Sequence, residues 1–374
     1  MNSMKTTFLK VLCLTGMFLL LFSCRNVLPT PPPVTQPDWI VGADLSLLDR
    51  NVAAGAVYKE SNGKDVEALS FFKERGMNYI RLRLFVDPDM QSTACQNLSY
   101  VQEMILKAKA KGYNVLLDFH YSDTWADPEK QFKPALWESL SSDALADKVY
   151  TYTRQVLITL VKNKAAPDMI QIGNEVTNGM LWDSARVSVW EGEWNTQGRW
   201  LYFCKVLSMA SKACREICPE AWIMVHSDRG GDREAAVRFF SRVEQGKVDY
   251  DIIGLSYYPF WHGPLAQLGS CLAALQTAFP DKPVNVVEVA YANHPWGVPD
   301  NAGYPLEYPA TPEGQQAFFE DFLQLLRGFS HVNGYMYWYP EETYVPQGPV
   351  LTLHRGVFDI NTGKALPVTD VFNL

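Results

Sequence analysis

The sequence predicts a single closed (β/α)8 barrel, the TIM barrel fold, and two observations lead to that prediction. Strand-like and helix-like segments alternate strictly from residue 39 onward, which is typical of a parallel sheet. The alternation repeats eight times, which favours closure of the sheet into a ring. An open doubly wound sheet is the alternative. That fold calls for a glycine-rich phosphate loop after the first strand, and Gly42-Ala43-Asp44 is not such a loop.

Each predicted strand is a short apolar run that stops where polar residues begin. The predicted strands cover residues 39–46, 79–85, 113–120, 169–175, 222–227, 252–257, 283–288 and 335–338. The strands of a parallel barrel all run the same way, so the residues at their carboxyl ends meet on one face. In this fold, that face carries the active site.

The predicted helices have apolar residues at helical spacing and recognisable ends. Gly76 and Gly112 end the first two helices, and Thr311-Pro312-Glu313 opens the last with proline in its first turn. The helices cover residues 64–75, 99–111, 142–163, 195–218, 233–245, 265–279 and 311–329. A short tail at 366–372 is expected to close the bottom of the barrel.

The composition is that of a soluble globular protein with a large core. Of the 374 residues, 47% are hydrophobic and 20% are charged. The formal net charge of -8 makes nucleic acid a poor candidate partner. Aromatic residues reach 13%, with 11 Trp and 18 Tyr, which suits a surface that stacks on sugar rings.

Residues 1–24 are predicted to be a lipoprotein signal peptide. Lys5 and Lys10 form its basic part, and the apolar stretch 11–22 is too short to span a bilayer. Leu21-Phe22-Ser23-Cys24 resembles a bacterial lipobox, which implies cleavage before Cys24 and lipid on its sulfur. An ordinary secretion signal with a chance cysteine is the alternative.

Residues 25–38 contain five prolines and are predicted to be a stiff tether between a membrane and the catalytic domain, residues 39–374. We therefore expect an exported lipoprotein of the cell envelope, anchored in the outer membrane through Cys24. The sequence leaves open which face of that membrane carries the protein. A monomer is the default expectation.

A metal site is not expected from the cysteines. Outside the signal peptide the chain has five, an odd number at irregular spacing that forms no disulfide framework: Cys95, Cys204, Cys214, Cys218 and Cys271. No histidine lies nearby at ligand spacing. Cys204, Cys214 and Cys218 share one predicted helix, and we interpret them as small core residues.

Two glutamates follow buried apolar runs of the same design. Glu175 stands beside Asn174 after the run 169–172, and Glu288 ends the run 283–287. Two carboxyl groups on one concave face suit glycoside hydrolysis, in which one must be protonated and the other ionised. Their separation decides between retention and inversion of configuration, and the residues alone leave that open.

Other polar side chains are predicted at the same face. Arg81 and Arg83 share one side of their strand, and a buried arginine needs a carboxylate partner. An arginine beside Glu288 would keep it ionised, whereas Glu175 needs a drier or more negative setting. Tyr257 is a candidate donor to Glu288. Further residues at or just past strand ends are Asp44, His120, Asp228 and Trp338.

Aromatic side chains cluster in the same loops, and we expect about half of them to be core. They are Trp125, Trp137, Trp182, Tyr258, Trp261, Trp296, Tyr337 and Tyr339. Trp125 and Trp338 are the strongest candidates for sugar platforms, because one lies in a polar loop and the other ends the last strand.

Several motifs together resemble the endo-β-1,4-galactanases of glycoside hydrolase family 53. The most specific is His120-Tyr121-Ser122-Asp123-Thr124-Trp125-Ala126-Asp127-Pro128, followed by Gln131. The others are Gly42-Ala43-Asp44-Leu45-Ser46, Tyr79-Ile80-Arg81-Leu82-Arg83, Ile172-Gly173-Asn174-Glu175, Ile253-Gly254-Leu255-Ser256-Tyr257-Tyr258-Pro259 and Val287-Glu288-Val289-Ala290-Tyr291. The resemblance covers nearly the whole predicted mature chain.

The resemblance implies a retaining, double-displacement hydrolase that cuts β-1,4-galactan internally to galacto-oligosaccharides. It implies Glu175 as the acid/base, Glu288 as the nucleophile, and Asn174 as the group that binds the hydroxyl next to the anomeric carbon. Further substrate-binding residues are implied at Asp44, Arg81, His120, Asp123, Trp125, Asp127, Tyr257, Trp261 and Trp338.

The resemblance implies no required cofactor but leaves calcium open. Some bacterial relatives bind calcium in an Asp/Gly-rich loop after the nucleophile strand. The corresponding residues 293–301 offer two plausible oxygen ligands and no repeated aspartate spacing. Two other functions stay open: the same chemistry on xylan, mannan or arabinan, and a non-catalytic lipoprotein that only binds glycans.

Overall fold

The computed structural model describes residues 39–347 and 351–372. The predicted signal peptide with Cys24, and the predicted tether at 25–38, lie outside the described residues. Among the described residues, no helix combines the length and apolarity needed to cross a membrane.

Eight parallel strands form a closed barrel, as the sequence predicts. Strands adjacent in the chain are adjacent in the ring, and the last strand pairs with the first. The strands are β1 (Ile40–Asp44), β2 (Tyr79–Leu84), β3 (Asn114–Phe119), β4 (Met169–Ile172), β5 (Trp222–Ser227), β6 (Ile252–Tyr257), β7 (Val284–Val289) and β8 (Val332–Trp338).

Helices connect the strands and cover the outside of the ring. They are α1 (Leu48–Ala53), α2 (Ala68–Glu74), α3 (Leu98–Ala110), α4 (Ser142–Lys162), α5 (Gln197–Ile217), α6 (Arg233–Gln245), α7 (Pro259–His262), α8 (Leu265–Ala278) and α9 (Pro312–Arg327). The predicted tail contains a short 3-10 turn, Pro367–Asp370, which packs against α9.

Three boundaries differ from the prediction for local reasons. Helix α2 begins at Ala68, because Asp65–Val66 instead pairs as a short antiparallel ladder with Tyr58–Lys59. The cap of α3 is Asn97, whose side chain accepts the Tyr100 N–H at 3.0 Å, rather than Ser99. Strand β4 ends at Ile172 instead of reaching Glu175, because the chain turns sharply there.

Side chains alternate along each strand between the barrel interior and the surrounding helices. The lower interior layer is apolar and consists of Ile40, Tyr79, Leu116, Met169, Met224, Ile252, Val287 and Met336. Two residues further along four of these strands, the same face carries polar side chains: Arg81, Asp118, Gln171 and His226. On β6, Ser256 follows Ile252 by four residues. The barrel is therefore a packed plug of apolar side chains with a polar layer above it.

The five cysteines are buried and unbonded to one another. Over residues 39–347 and 351–372, no group of three or more His, Cys, Asp or Glu side chains is placed to hold a metal ion. In the loop considered for calcium, the Asn293 amide donates to the Gly356 carbonyl, and the Asn301 side-chain oxygen accepts from Trp261.

Candidate active site

A cleft of ≈ 540 Å³ lies at the carboxyl ends of the strands. Both predicted glutamates line it. So do most of the other predicted site residues: Arg81, His120, Trp125, Asp127, Asn174, Trp261 and Trp338. The structure therefore brings these residues together in one cavity.

The Arg81 guanidinium group lies at the bottom of the cleft and is 1% exposed. Its Nη1 lies 2.9 Å from Asp44 Oδ2 and 2.8 Å from Glu288 Oε1. Its Nη2 lies 2.8 Å from Asp118 Oδ2 and donates to Asn174 Oδ1 at 2.7 Å. Burial alone would lower the pKa of Arg81, but the surrounding carboxylates outweigh burial and raise it. Arg81 therefore stays charged and is the shared partner of β1, β3, β4 and β7.

Glu288 is held from two sides. Arg81 contacts one carboxyl oxygen, and the Tyr258 hydroxyl donates to the other at 2.8 Å. The pKa of Glu288 is raised, chiefly by burial and further by the Asp44 and Asp118 charges, while the Arg81 charge and the Tyr258 hydrogen bond limit that rise. Both of these partners favour the ionised carboxylate.

The predicted role of Tyr257 is wrong. Its side chain is fully buried, stacks on Phe318 and Phe322, and donates its hydroxyl to the Gly263 carbonyl at 2.8 Å. Tyr258, one residue further on, faces the cleft and reaches Glu288. The reason is that side chains alternate at the end of β6: Ser256 and Tyr258 face the cleft, and Tyr257 between them faces the surrounding helices.

Glu175 occupies a strained backbone position at the turn after β4. Its φ is 47° and its ψ is 51°, a left-handed conformation that non-glycine residues rarely adopt, and the nearby Gly173 has φ of 103°. The side chain is directed over the barrel, where the Ser256 hydroxyl donates to Oε1 at 2.6 Å. Strain of this kind concentrates at functional sites.

Among the residues that the structure describes, no cationic group forms an ion pair with the Glu175 carboxyl. Burial raises its pKa well above the usual range, and the negative charges of Glu288 and Asp228 push in the same direction. The two glutamates therefore lie in opposite settings: Glu288 next to a guanidinium group, and Glu175 next to carboxylates and a neutral hydroxyl.

His226 supports Glu175 from below, and sequence reasoning did not select it. Its Nδ1 accepts the Glu175 backbone N–H at 3.3 Å and lies 3.1 Å from both Gln171 Nε2 and Asn174 Oδ1. With Nδ1 as the acceptor of the two N–H groups, the proton is on Nε2 of the ring. Nε2 lies 2.9 Å from Ser256 Oγ, so hydrogen bonds run from His226 through Ser256 to Glu175. Burial and the nearby Arg81 charge lower the pKa of His226 well below its usual value, so the ring is neutral. Its inward position on β5 was the available signal.

Asn174 is oriented for one remaining hydrogen bond. Its Oδ1 accepts from Arg81, and its Nδ2 donates to the Ala126 carbonyl at 2.8 Å. An amide nitrogen carries two hydrogens, so one is left for a ligand in the cleft. The Gln131 side chain holds the backbone here by donating to the Asn174 carbonyl at 2.7 Å.

Two predicted substrate-binding residues have other partners. Asp44 is fully buried beneath the cleft, where it binds Arg81, Arg83 and Ser46. Asp123 accepts backbone N–H groups from Asp87 and Ala135 and does not line the cleft. Both residues support the walls of the site instead of facing a substrate, because nearby donors already occupy their carboxylate oxygens.

His120 and the tryptophans form one wall. His120 contacts Asp118 through Nε2 at 3.1 Å and accepts the Ala126 N–H through Nδ1. Its ring meets Trp125 edge-on at 6.2 Å, and Trp125 in turn meets Trp338 at 6.3 Å. The Arg83 guanidinium lies 4.2 Å from the centre of the Trp125 ring and fixes that platform from below.

The opposite wall combines Trp261 with Arg355, a residue that the sequence did not indicate. The Arg355 guanidinium stacks 5.4 Å from Trp261 and donates to the Gly297 carbonyl at 2.8 Å. The segment that carries Arg355 is held by Glu342, whose carboxylate accepts four successive backbone N–H groups, those of residues 353–356.

The remaining aromatic candidates divide between the cleft, the core and the surface, and Trp182 is half-buried outside the cleft lining. Tyr258 lines the cleft together with Trp125 and Trp261, whereas Trp137, Tyr337 and Tyr339 are buried. Trp296 is 78% exposed and lies outside the cleft lining. Asp127 lines the cleft, with one of its carboxyl oxygens 2.9 Å from the Lys130 ammonium group.

Comparisons with known proteins agree with this geometry. The family model described as glycosyl hydrolase family 53 matches residues 40–372. An uncharacterized protein of Niallia circulans is 40% identical over 82% of this chain and 84% of its own length. An arabinogalactan endo-β-1,4-galactanase of Cellvibrio japonicus is 33% identical over 88% of this chain and 86% of its own.

A solved structure has the same architecture. The Ignisphaera aggregans GH53 catalytic domain superimposes with a TM-score of 0.79 at 33% identity, over 92% of this chain and 98% of that domain. The family model and these relatives cover the barrel and the cleft together. The chain belongs to glycosyl hydrolase family 53.

Proposed function

We propose that Glu175 protonates the glycosidic oxygen and that Glu288 attacks the anomeric carbon in the hydrolysis of β-1,4-galactan. Family 53 is a retaining family, and relatives named endo-β-1,4-galactanase cover most of the chain. The protein is accordingly an endo-β-1,4-galactanase that retains configuration and needs no cofactor.

In the first step, the carboxylate of Glu288 forms a bond to the anomeric carbon while the bond to the leaving oxygen breaks. Glu175 gives its proton to that oxygen, so the leaving chain departs as a neutral alcohol. Arg81 stays hydrogen-bonded beside Glu288 throughout, and the free hydrogen of Asn174 is placed for the hydroxyl next to the reacting carbon. The sugar is left bonded to Glu288 as an ester.

In the second step, the now ionised Glu175 takes a proton from water, and the water oxygen attacks the same carbon. The ester bond to Glu288 breaks, and the carboxylate returns to its contacts with Arg81 and Tyr258. Two inversions at one carbon leave the product with the configuration of the substrate. Glu175 regains its proton from that water, so the cycle closes.

The contrast between the two carboxyl environments is the observation that carries this assignment. Glu288 lies 2.8 Å from a guanidinium nitrogen, whereas Glu175 is buried with carboxylates nearby and accepts a hydrogen bond from the Ser256 hydroxyl. A nucleophile must be ionised and an acid must carry a proton. The reverse assignment would place the proton on the carboxyl that faces Arg81.

We expect Glu288→Gln to lower the rate of reducing-end release from galactan by at least about 10⁴-fold, because an amide cannot attack the anomeric carbon. Glu175→Gln should cost about 10²- to 10⁴-fold on galactan, the usual contribution of a general acid. It should largely spare formation of the glycosyl ester from aryl galactosides, whose leaving groups need no proton.

Glu138→Gln, an exposed position outside the cleft, serves as the matched control. The wild type should be compared on galactan, xylan, mannan and arabinan, and the first product should be the β-anomer by proton NMR. Near-normal turnover by Glu288→Gln would contradict the assignment of the nucleophile. Faster release from xylan, mannan or arabinan than from galactan would contradict the substrate.

A second prediction uses two adjacent tyrosines. Tyr258→Phe removes a hydrogen bond that lowers the pKa of Glu288, so that pKa rises. Because Glu288 acts as the carboxylate, the acidic limb of the kcat/KM profile should move to higher pH, and kcat/KM at its maximum should fall about 10-fold or more. Tyr257→Phe should leave the pH profile unchanged, and the same shift in both variants would rule out the specific contact.

We further propose that the mature protein is a monomeric lipoprotein of the outer membrane. The Leu21-Phe22-Ser23-Cys24 sequence supports a lipidated amino-terminal cysteine, and the prolines of residues 25–38 support an extended tether. A polymer such as galactan reaches an enzyme held away from a membrane more readily than one held against it.

Expression in a Gram-negative host should test the anchor. We expect Cys24→Ser to prevent incorporation of radiolabelled palmitate and to move the protein from the membrane fraction to the soluble fraction. The reason is that position 24 then has no thiol to accept the lipid. Cys13→Ser, inside the apolar part of the same segment, should keep both labelling and membrane association. Equal labelling of the Cys24→Ser variant and the wild type would exclude lipid on this sulfur.

A further inference from the structure

Asp228 and Arg229 line the cleft and have hydrogen-bonding capacity that the protein does not use. Asp228 directly follows β5 and is 5% exposed. Its Oδ1 makes no hydrogen bond of regular geometry among the described residues, although the nearby Thr177 hydroxyl favours the ionised carboxylate, and Arg229 Nε has no partner there either. The two side chains face each other at 3.3 Å, Nε to Oδ2, without the alignment of a hydrogen bond. Buried polar atoms without partners are uncommon in folded proteins.

The contrast with Arg81 is informative. Every nitrogen of the Arg81 guanidinium group has a protein partner, so that group is saturated before any substrate arrives. The pair formed by Asp228 and Arg229 is loose by comparison. A ligand that supplies one donor and one acceptor would satisfy both residues, and a sugar hydroxyl group is both.

Their position points to one particular sugar. Strand β5 pairs with β4, so Asp228 flanks Glu175, whereas the groups around Glu288 come from β2 and β6. The acid must reach the oxygen that joins the two sugars. The sugar beyond that oxygen therefore extends from the Glu288 side past Glu175, toward the end of β5.

We propose that Asp228 and Arg229 bind hydroxyl groups of the leaving galactosyl unit, Asp228 as acceptor and Arg229 as donor. The inference rests on the proposed function and adds a specificity element to it. Rotation about the last torsion of Asp228 presents either carboxyl oxygen to the cleft. The contact orients the leaving sugar so that its bridging oxygen meets the proton of Glu175.

The test compares two substrates that share the attacked sugar and differ in what leaves. One is β-1,4-galactotetraose, whose leaving group is a sugar. The other is a nitrophenyl β-1,4-galactotrioside, whose leaving group has no sugar hydroxyls. Asp228→Asn should lower kcat/KM on the tetraose by about 10- to 100-fold, the range for a lost hydrogen bond to a charged group. On the aryl substrate the change should stay within about 3-fold.

Arg229→Gln is a second variant with the same expected contrast, and it decides the matter if Asp228→Asn does not fold. It removes a positive charge, whereas Asp228→Asn removes a negative charge that raises the pKa of Glu175, so a loss on the tetraose shared by both variants does not come from a changed pKa of the acid. Asp232→Asn is the control, because Asp232 lies in the same loop, caps α6 and does not line the cleft. Equal losses on both substrates, or no loss on the tetraose, would overturn the inference. A wild type that cuts the aryl substrate but no galactan would instead contradict the proposed function.

Discussion

The ion pairs of one guanidinium group, that of Arg81, hold the active site together. It contacts carboxylates from three strands and an amide that follows a fourth, all within 2.9 Å. Removing such a group would leave several buried negative charges without compensation, which is among the most costly changes a protein interior can undergo. Because Arg81 is saturated, it fixes the position of Glu288 and favours its ionised form.

The barrel makes this concentration of charge possible. Alternation along eight strands stacks an apolar layer below a polar one, and closure brings the polar residues of distant segments within hydrogen-bonding distance. Glu175 and Glu288 belong to β4 and β7 regions far apart in the chain, yet Ser256 relates them directly. It is the register partner of Glu288 and the hydrogen-bond donor to Glu175.

Much of this arrangement could be predicted from the sequence, because the signals are periodic or positional. Eight alternating segments predicted the barrel, and a lone carboxyl group at the end of an apolar run predicted each glutamate. The paired inward positions of Arg81 and Arg83 predicted their carboxylate partners, and Asp44 proved to be one of them.

The errors arose where one residue of register or one local hydrogen bond decides the outcome. Tyr257 and Tyr258 are adjacent residues of the same type, and only the strand geometry shows which of them faces Glu288. Asp123 resembles a ligand-binding residue until its backbone partners are seen. His226 carries no motif of its own. Its role depends on a chain of hydrogen bonds that joins β5, β6 and the turn after β4.

The central claim is that Glu288 is ionised while Glu175 holds a proton. Carbon-13 NMR of protein labelled at the glutamate carboxyl carbons measures this directly, with Glu175→Gln and Glu288→Gln used to assign the two signals. The account predicts that, as pH is raised, the Glu288 signal shifts first and the Glu175 signal at distinctly higher pH. Loss of the proton from Glu175 before Glu288, or simultaneous titration of both with unshifted pKa values, would contradict it.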